Sequence, residues 1–205
     1  MKYINKKLTI EKVSVNNIAK KYGTPTYCYS YTKLRENILR FKKSFKSISP
    51  LICFAIKSNT NVRLIREIKK FGLGADVVSM GELMTAIKAG ISPKKIVFSG
   101  VGKTSEEIKY AISKKILLIN AESESEIKQI EKIAKLKKRK VQVGIRLNPN
   151  TDAKTLSQIS TGKKENKFGV NDKTFFQLVN YCKNSKIIDL KSLSVQIGSQ
   201  IQDQK

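Results

Sequence analysis

Apolar and polar positions follow two rhythms along this chain, short apolar runs and stretches of three-and-four spacing, and the two take turns. An opening helix is predicted over 15 to 22, after which Gly23-Thr24-Pro25 breaks the chain and TYCYS (26 to 30) reads as a short strand. From about Tyr31 to Phe45, Leu34, Ile38, Phe41 and Phe45 fall on one stripe, the spacing of an amphipathic helix, and Ser49-Pro50 stops it. LICFAI (51 to 56) is apolar on both parities, as a strand covered on both faces must be. The rhythm then recurs. Strand ADVVS (75 to 79) leads to helix MGELMTAIKAG, KIVFSG (95 to 100) to SEEIKYAISK, and ILLIN (116 to 120) to SEIKQIEKIAKL. Strand VQVGIRL (141 to 147) leads, after a long polar insertion, to helix DKTFFQLVNYC (172 to 182), and LSVQIG (193 to 198) follows before a QDQK tail. Helix starts carry caps, Ser105 with Glu106 and Glu107 behind it, and Ser123 with Glu124 and Glu126.

Six strands separated by helices predict right-handed βα units and a parallel sheet, in an α/β fold. Two architectures satisfy this. An open doubly wound sheet could be complete with six strands, whereas a (β/α)8 barrel needs eight and about 250 residues. On the barrel reading about six of eight βα units are present, and the first and sixth strands would be apolar edges.

Composition narrows the function classes. Lys and Arg number 41 against 16 Asp and Glu, a formal net charge of +25 with no histidine. Counterion release favours binding of such a surface to polyanions. Yet only six of the basic residues are arginine, the lysines are scattered over every predicted helix, and LKKRK (136 to 140) is the one dense run. A Lys-rich solvated surface accounts for this better than a specific nucleic-acid face. No run of about 18 apolar residues is present, so no membrane span is expected, and MKYINKKLTIEK lacks the apolar core of a secretory signal. A cytoplasmic location is the expectation. Cys28, Cys53 and Cys182 are far apart and set among apolar neighbours, which suits reduced structural thiols rather than a disulfide framework or metal site.

Candidate chemistry sits where strands end. Alternation puts Cys53, Ala55 and Lys57 on one face, and Gln142, Gly144 and Arg146 on another strand's face. A lysine among Phe54, Ile56 and a strand interior is costly to charge, so Lys57 is expected to be desolvated, titrating low, with an amine able to condense with an aldehyde. By position alone a strand-end lysine snorkelling to solvent is the competing reading. VFSGVGKT (97 to 104) lacks the GxxxxGK[ST] spacing of a phosphate loop, which argues against nucleoside triphosphates.

The words around Lys57 form an ordered series: FAIKSNTN (54 to 61), GADVVSMGEL (74 to 83), VFSGVGKT, NAESESE (120 to 126), GIRLNPN (144 to 150), ISTGKKENKFGV (159 to 170) and QIGSQI (196 to 201). Together they resemble the diaminopimelate decarboxylase family, pyridoxal-phosphate enzymes with an alanine-racemase-like barrel and a further β-domain. The ISTG, NKFG and IGSQ segments resemble this branch more than the ornithine or arginine decarboxylases. The resemblance implies a PLP-binding (β/α)8 TIM-type barrel, with 1–30 leading into a partial barrel over 31–205 and the C-terminal β-domain absent. It implies pyridoxal 5'-phosphate as cofactor, Lys57 as the lysine that binds it, Asp76 as an acidic residue beside that lysine, Arg146 near the ring and Ser199 at the phosphate. Gln196 stands where the family has a ring-stacking histidine, and Leu156 or a neighbour where another histidine is common. The segment Asn166 to Gly169 corresponds to a loop near the active site and dimer contact, within a lid-like insertion between Pro149 and Val170.

The implied reaction is decarboxylation of meso-diaminopimelate at its D-centre to L-lysine, the last step of lysine biosynthesis, by a homodimer. In the family the glycine-rich phosphate loop, the pyridine-nitrogen glutamate and the partner's Cys and Tyr lie beyond position 205, so the chain alone is expected to be inactive or nearly so. Three other readings stay open: a non-catalytic remnant, another pyridoxal-phosphate barrel of alanine-racemase or ornithine/arginine decarboxylase type, and a basic nucleic-acid-binding module.

Overall fold

A computed structural model describes residues 1–156 and 159–202, so 203–205 of the QDQK tail lie outside it. Two compact units divide between Pro50 and Leu51, later in the chain than the expected step at 30/31.

The first unit opens on an antiparallel sheet that the hydropathy pattern did not predict: β1 (Lys2–Ile4), β2 (Lys7–Ile10) and β3 (Val13–Ser14). Its first turn places Asn5 and Lys6 at φ 48° and 62°, the left-handed pair that a two-residue hairpin requires. Asn-Lys supplies that geometry without the glycine that usually announces it. Helix α1 (Val15–Tyr22) falls where expected, and α2 (Tyr31–Ser44) stops one residue short of the predicted end. TYCYS is not a strand: no strand is assigned over 26 to 30, and Cys28 is exposed rather than set among apolar side chains. What orders the start of α2 is Glu11, whose carboxylate accepts from Ser30 Oγ at 2.7 Å and Thr32 N at 2.8 Å, while Ser30 Oγ accepts from Lys33 N.

The second unit is a strand-helix repeat. Strands β4 (Cys53–Ala55), β5 (Gly74–Val77), β6 (Ile96–Phe98), β7 (Leu118–Ala121), β8 (Val141–Leu147) and β9 (Ile188–Val195) are joined by α3 (Val62–Lys70), α4 (Met80–Lys88), α5 (Ser105–Lys114), α6 (Glu124–Leu136) and α7 (Asp172–Asn184). All neighbours pair in parallel and in sequence order, β4-β5-β6-β7-β8-β9. A doubly wound sheet reverses its strand order at a switch point. None occurs here, so the sheet is part of a (β/α) barrel. Strand one is shorter than LICFAI, because Ile56–Ser58 turn into a 3-10 helix, and strand six begins earlier, at Ile188. The N-cap of α5 is Thr104 rather than Ser105, in a reciprocal capping box with Glu107. Ser123 caps α6 as expected, accepting from Glu126 N.

Register separates the two faces. One face carries Ala75, Val77, Ile96, Phe98, Ile119, Ala121, Val143 and Ile145, all buried and packed in one core with Leu83, Ile108, Ile127, Ile130 and Leu178 from the helices. Directly paired residues share a side, so the chain of partners Ala55–Asp76–Val97–Leu118, then Asn120–Gly144 and Arg146–Ser194, defines the opposite, barrel-inner face. That face is where the polar residues gather.

Two details carry measurable consequences. A Cβ at Gly74 would stand 2.2 Å from the Lys95 carbonyl oxygen, a backbone atom that cannot swing aside. Gly74→Ala is therefore expected to cost roughly 1–3 kcal/mol through overpacking, read as a lowered Tm; an unchanged Tm would show that the β5–β6 junction gives way freely. Between α6 and α7, Glu131 is paired with Lys135 at 2.8 Å and accepts from Tyr181 Oη at 2.7 Å and from Ser185 Oγ. Lys135 first, then Ser185, pull its carboxyl from the usual 4.5 down to about 2, and the hydrogen bond that Tyr181 donates to Glu131 pushes the Tyr181 hydroxyl up to about 12. A carboxyl depressed by folding stabilises the native state above its unfolded pKa and ceases to do so as pH falls through the folded one. Stability of the wild type should thus decline between pH 4.5 and 2, and Glu131→Gln should flatten that part of a Tm-against-pH curve.

Candidate active site

Polar side chains meet at the C-terminal ends of the parallel strands. The FAIKSNTN segment leaves β4 in a turn stapled by Ser58 Oγ on the Ala55 carbonyl at 2.7 Å, then starts α3 with Asn61 Oδ1 accepting from Arg63 N at 2.9 Å and Leu64 N at 3.4 Å. Lys57 lies in that turn and is exposed. The expected desolvation is therefore not provided by these residues: the strand ends at Ala55 and Lys57 is exposed in the turn that follows.

Asp76, on β5, pairs in register with Ala55, two residues before Lys57. Its carboxylate accepts from Ser99 Oγ at 2.7 Å, and Ser99 accepts from Asn120 Nδ2 at 3.2 Å. Burial pushes the Asp76 carboxyl above its ordinary range, opposed by the Ser99 hydrogen bond and by the charges of Lys57, Arg146 and Lys103. The structure thus brings Lys57, Asp76 and Arg146 into one electrostatic neighbourhood.

Arg146, at the end of β8, is buried and its Nη1 donates to both oxygens of Glu122, at 3.0 and 3.1 Å. Phe168 lies against the guanidinium, 4.6 Å from ring centroid to Cζ. Behind Glu122, Lys103 has a side chain only 1% exposed and donates to the carbonyls of Gly100 and Asn120, both at 2.7 Å, and to Glu126 Oε1 at 2.6 Å. Sequence reasoning assigned no role to Ser99, Lys103, Asn120 or Glu122, gave Glu126 only a place in the first turn of its helix, and reached Phe168 only as part of the 166–169 loop. Lys103, Glu122 and Glu126 lie inside the quoted VFSGVGKT and NAESESE segments, so the available signal was that charges recur just after two strands.

Gln196 and Ser199 are placed differently. Both are exposed, and it is their backbones that are held: Thr161 Oγ1 donates to the Gln196 carbonyl and Thr155 Oγ1 to the Ser199 carbonyl, each at 2.9 Å. No described contact joins either side chain to Asp76 or Arg146. The ISTG and IGSQ segments have a packing reason for their glycines. A Cβ at Gly162 would be 2.9 Å from Ile197 Cα, and one at Gly198 would be 3.0 Å from Ala153 Cβ. The insertion and the chain after β9 approach closely only because these side chains are missing.

The profile of the family described as "Pyridoxal-dependent decarboxylase, pyridoxal binding domain" matches residues 31–205. The chain belongs to that family. It is 46% identical over 182 residues to a diaminopimelate decarboxylase of Helicobacter pylori strain J99, covering 89% of this chain and 45% of the relative. Against one from Aquifex aeolicus it is 38% identical over 203 residues, covering 99% and 48%. The crystal structure of Helicobacter pylori diaminopimelate decarboxylase complexed with L-lysine superposes with a TM-score of 0.90 at 43% identity, over 92% of this chain and 48% of that one. The chain spans about half the length of the curated relatives it matches.

Pyridoxal phosphate is the cofactor this family implies. The residues fit its aldehyde end: an accessible primary amine at Lys57, a neighbouring carboxyl at Asp76, and Asn120 Oδ1, buried without a partner among the described residues and aimed at the space left by Gly144, whose Cβ would be 2.2 Å away. For the phosphate end the described residues offer the exposed hydroxyl of Ser199.

The buried Lys103–Glu126 pair generates a prediction. Removing one partner strands the other charge in the interior, so Lys103→Met should cost about 3–5 kcal/mol, whereas the charge-free double variant Lys103→Met/Glu126→Leu should recover a large part of it. Thermal melts of the three proteins check this; equal melting of the single variant and wild type would show the pair to be energetically idle.

Proposed function

We propose that this chain is the cofactor-lysine half of a meso-diaminopimelate decarboxylase, which releases carbon dioxide from the D-centre to give L-lysine. The observation that carries the reading is the accessible Lys57 at the end of β4, near the half-buried carboxyl of Asp76, within a pyridoxal-binding domain whose relatives at 37–46% identity are diaminopimelate decarboxylases. In the reaction the bond from the α-carbon to its carboxylate breaks, the electron pair stays on carbon, and a proton takes the place of the departing carbon dioxide. Bound pyridoxal phosphate supplies the electron sink for that pair. With pyridoxal phosphate bound, Lys57 would be the residue that holds its aldehyde end. The charges of Lys57 and Arg146 both act on the Asp76 carboxyl, whose Oδ1 is fixed by the Ser99 hydroxyl.

Gln196 at the histidine position gives a flat amide for covering the ring, and Ser199 a hydroxyl for the phosphate. We extend the proposal to a homodimer in the cytoplasm; a small amino-acid substrate is supported by the L-lysine complex of the Helicobacter pylori relative.

Two measurements test this. Added pyridoxal phosphate should give the 205-residue chain a visible absorption band, borohydride should fix the label on the Lys57 peptide, and Lys57→Ala should abolish both; a band unchanged by that substitution would end the assignment. In a protein of the relatives' full length, carbon dioxide release from meso-diaminopimelate should fall by roughly a thousandfold or more in Lys57→Ala, while the 205-residue chain alone should turn over little.

A further inference from the structure

One buried carboxylate serves two neighbours at once. Both Glu122 oxygens accept from Arg146 Nη1, and Oε2 also accepts from the Gly169 N–H at 3.2 Å. Glu122 is itself held from behind, because its own N–H donates to Glu126 Oε2 at 3.0 Å and Glu126 is locked by Lys103. The end of the 149–170 connection closes on the same arginine from other directions. Phe168 covers the guanidinium, Val170 N donates to the Arg146 carbonyl at 2.9 Å, and a Cβ at Gly169, where φ is 73°, would stand 2.8 Å from that carbonyl oxygen. Asn148 Nδ2 adds bonds to the carbonyls of Lys163 at 2.8 Å and Phe168 at 3.1 Å.

We infer that Glu122 is a positioning residue: it sets the direction of the Arg146 guanidinium and, through Gly169, seats the 163–170 segment on the strand end that carries that arginine. Acting through Arg146, it has no contact of its own to make with substrate. A buried ion pair kept only for cohesion could be replaced by apolar side chains of similar volume without loss. Here the carboxylate's second bond to a backbone N–H of the connection gives it a task that an apolar pair could not perform. Where it concerns the cofactor, the inference rests on the functional reading above.

The experiment compares wild type, Glu122→Gln and Phe168→Leu in the full chain, at a temperature where their circular dichroism spectra coincide. Without cofactor, labelling of Arg146 by phenylglyoxal and tryptic cleavage after Lys163, Lys164 and Lys167 should rise about ten- to a hundredfold in Glu122→Gln, the loss of charge-assisted bonds that held both, and less in Phe168→Leu. With cofactor, the pyridoxal phosphate concentration giving half the maximal band should rise about tenfold in Glu122→Gln, as one lost charge-assisted contact would do. Unchanged labelling and cleavage would overturn the inference. Increased labelling with an unmoved cofactor midpoint would reduce Glu122 to a structural role and overturn it equally. Absence of the band from every protein, wild type included, would sink the functional reading and leave the labelling to decide this one.

Discussion

Charge buried in pairs, rather than apolar packing alone, decides how the working end of this protein is built. An isolated ammonium or carboxylate inside a protein is too costly to keep, and it persists only when partners satisfy it. Lys103 meets that condition with two carbonyls and Glu126, and Arg146 meets it with both oxygens of Glu122. Because Glu122 also donates its N–H to Glu126, the two pairs are one structure, running from the loop after β6 through the start of α6 to the end of β8. Removing any member would leave a neighbour unsatisfied, so these bonds tie the loops to one another.

That arrangement explains why the two faces of the sheet differ so sharply. The helix side is an uninterrupted apolar core, from Phe98 and Ile145 to Ile127 and Leu178, and can be filled by many combinations of Val, Ile and Leu. On the inner side the half-buried Asp76 and Ser99 and the buried Asn120 and Arg146 are joined by directed hydrogen bonds, which fix specific partners where apolar packing would not. A cofactor with an aldehyde, a charged ring and a phosphate needs such prearranged dipoles and charges. Lys57, exposed, stands just beyond the end of the strand that borders this surface.

The repeating strands and helices were legible from the chain because their periodicities differ and their caps are short-range. The 141 to 147 strand and the opening helix were read to the residue. Elements depending on distant partners were not. The β1–β2 hairpin lacks a glycine signal at its turn, LICFAI gives up its last residue to a turn shaped by Ser58, and TYCYS, for all its Thr and Tyr, has no ladder to join. Motif resemblance pointed to Lys57, Asp76 and Arg146, yet it gave no reason for the second set, Ser99, Lys103, Asn120, Glu122 and Glu126, whose meaning is entirely in what they touch.

What the sequence determined by itself is the order and type of the strands and helices from Leu51 onward, the parallel α/β class, and the residues that name the family, since all of these are written in local spacing and local words. Only the tertiary structure decided that the sheet winds in one direction as part of a barrel, that Lys57 is accessible instead of desolvated, and that the buried charges neutralise one another in pairs. Strand order and burial are properties of contacts between residues tens of positions apart, such as Lys103 with Glu126 and Arg146 with Glu122. The free energy of a charge is set by whatever surrounds it once the chain has closed, and no local pattern records that environment.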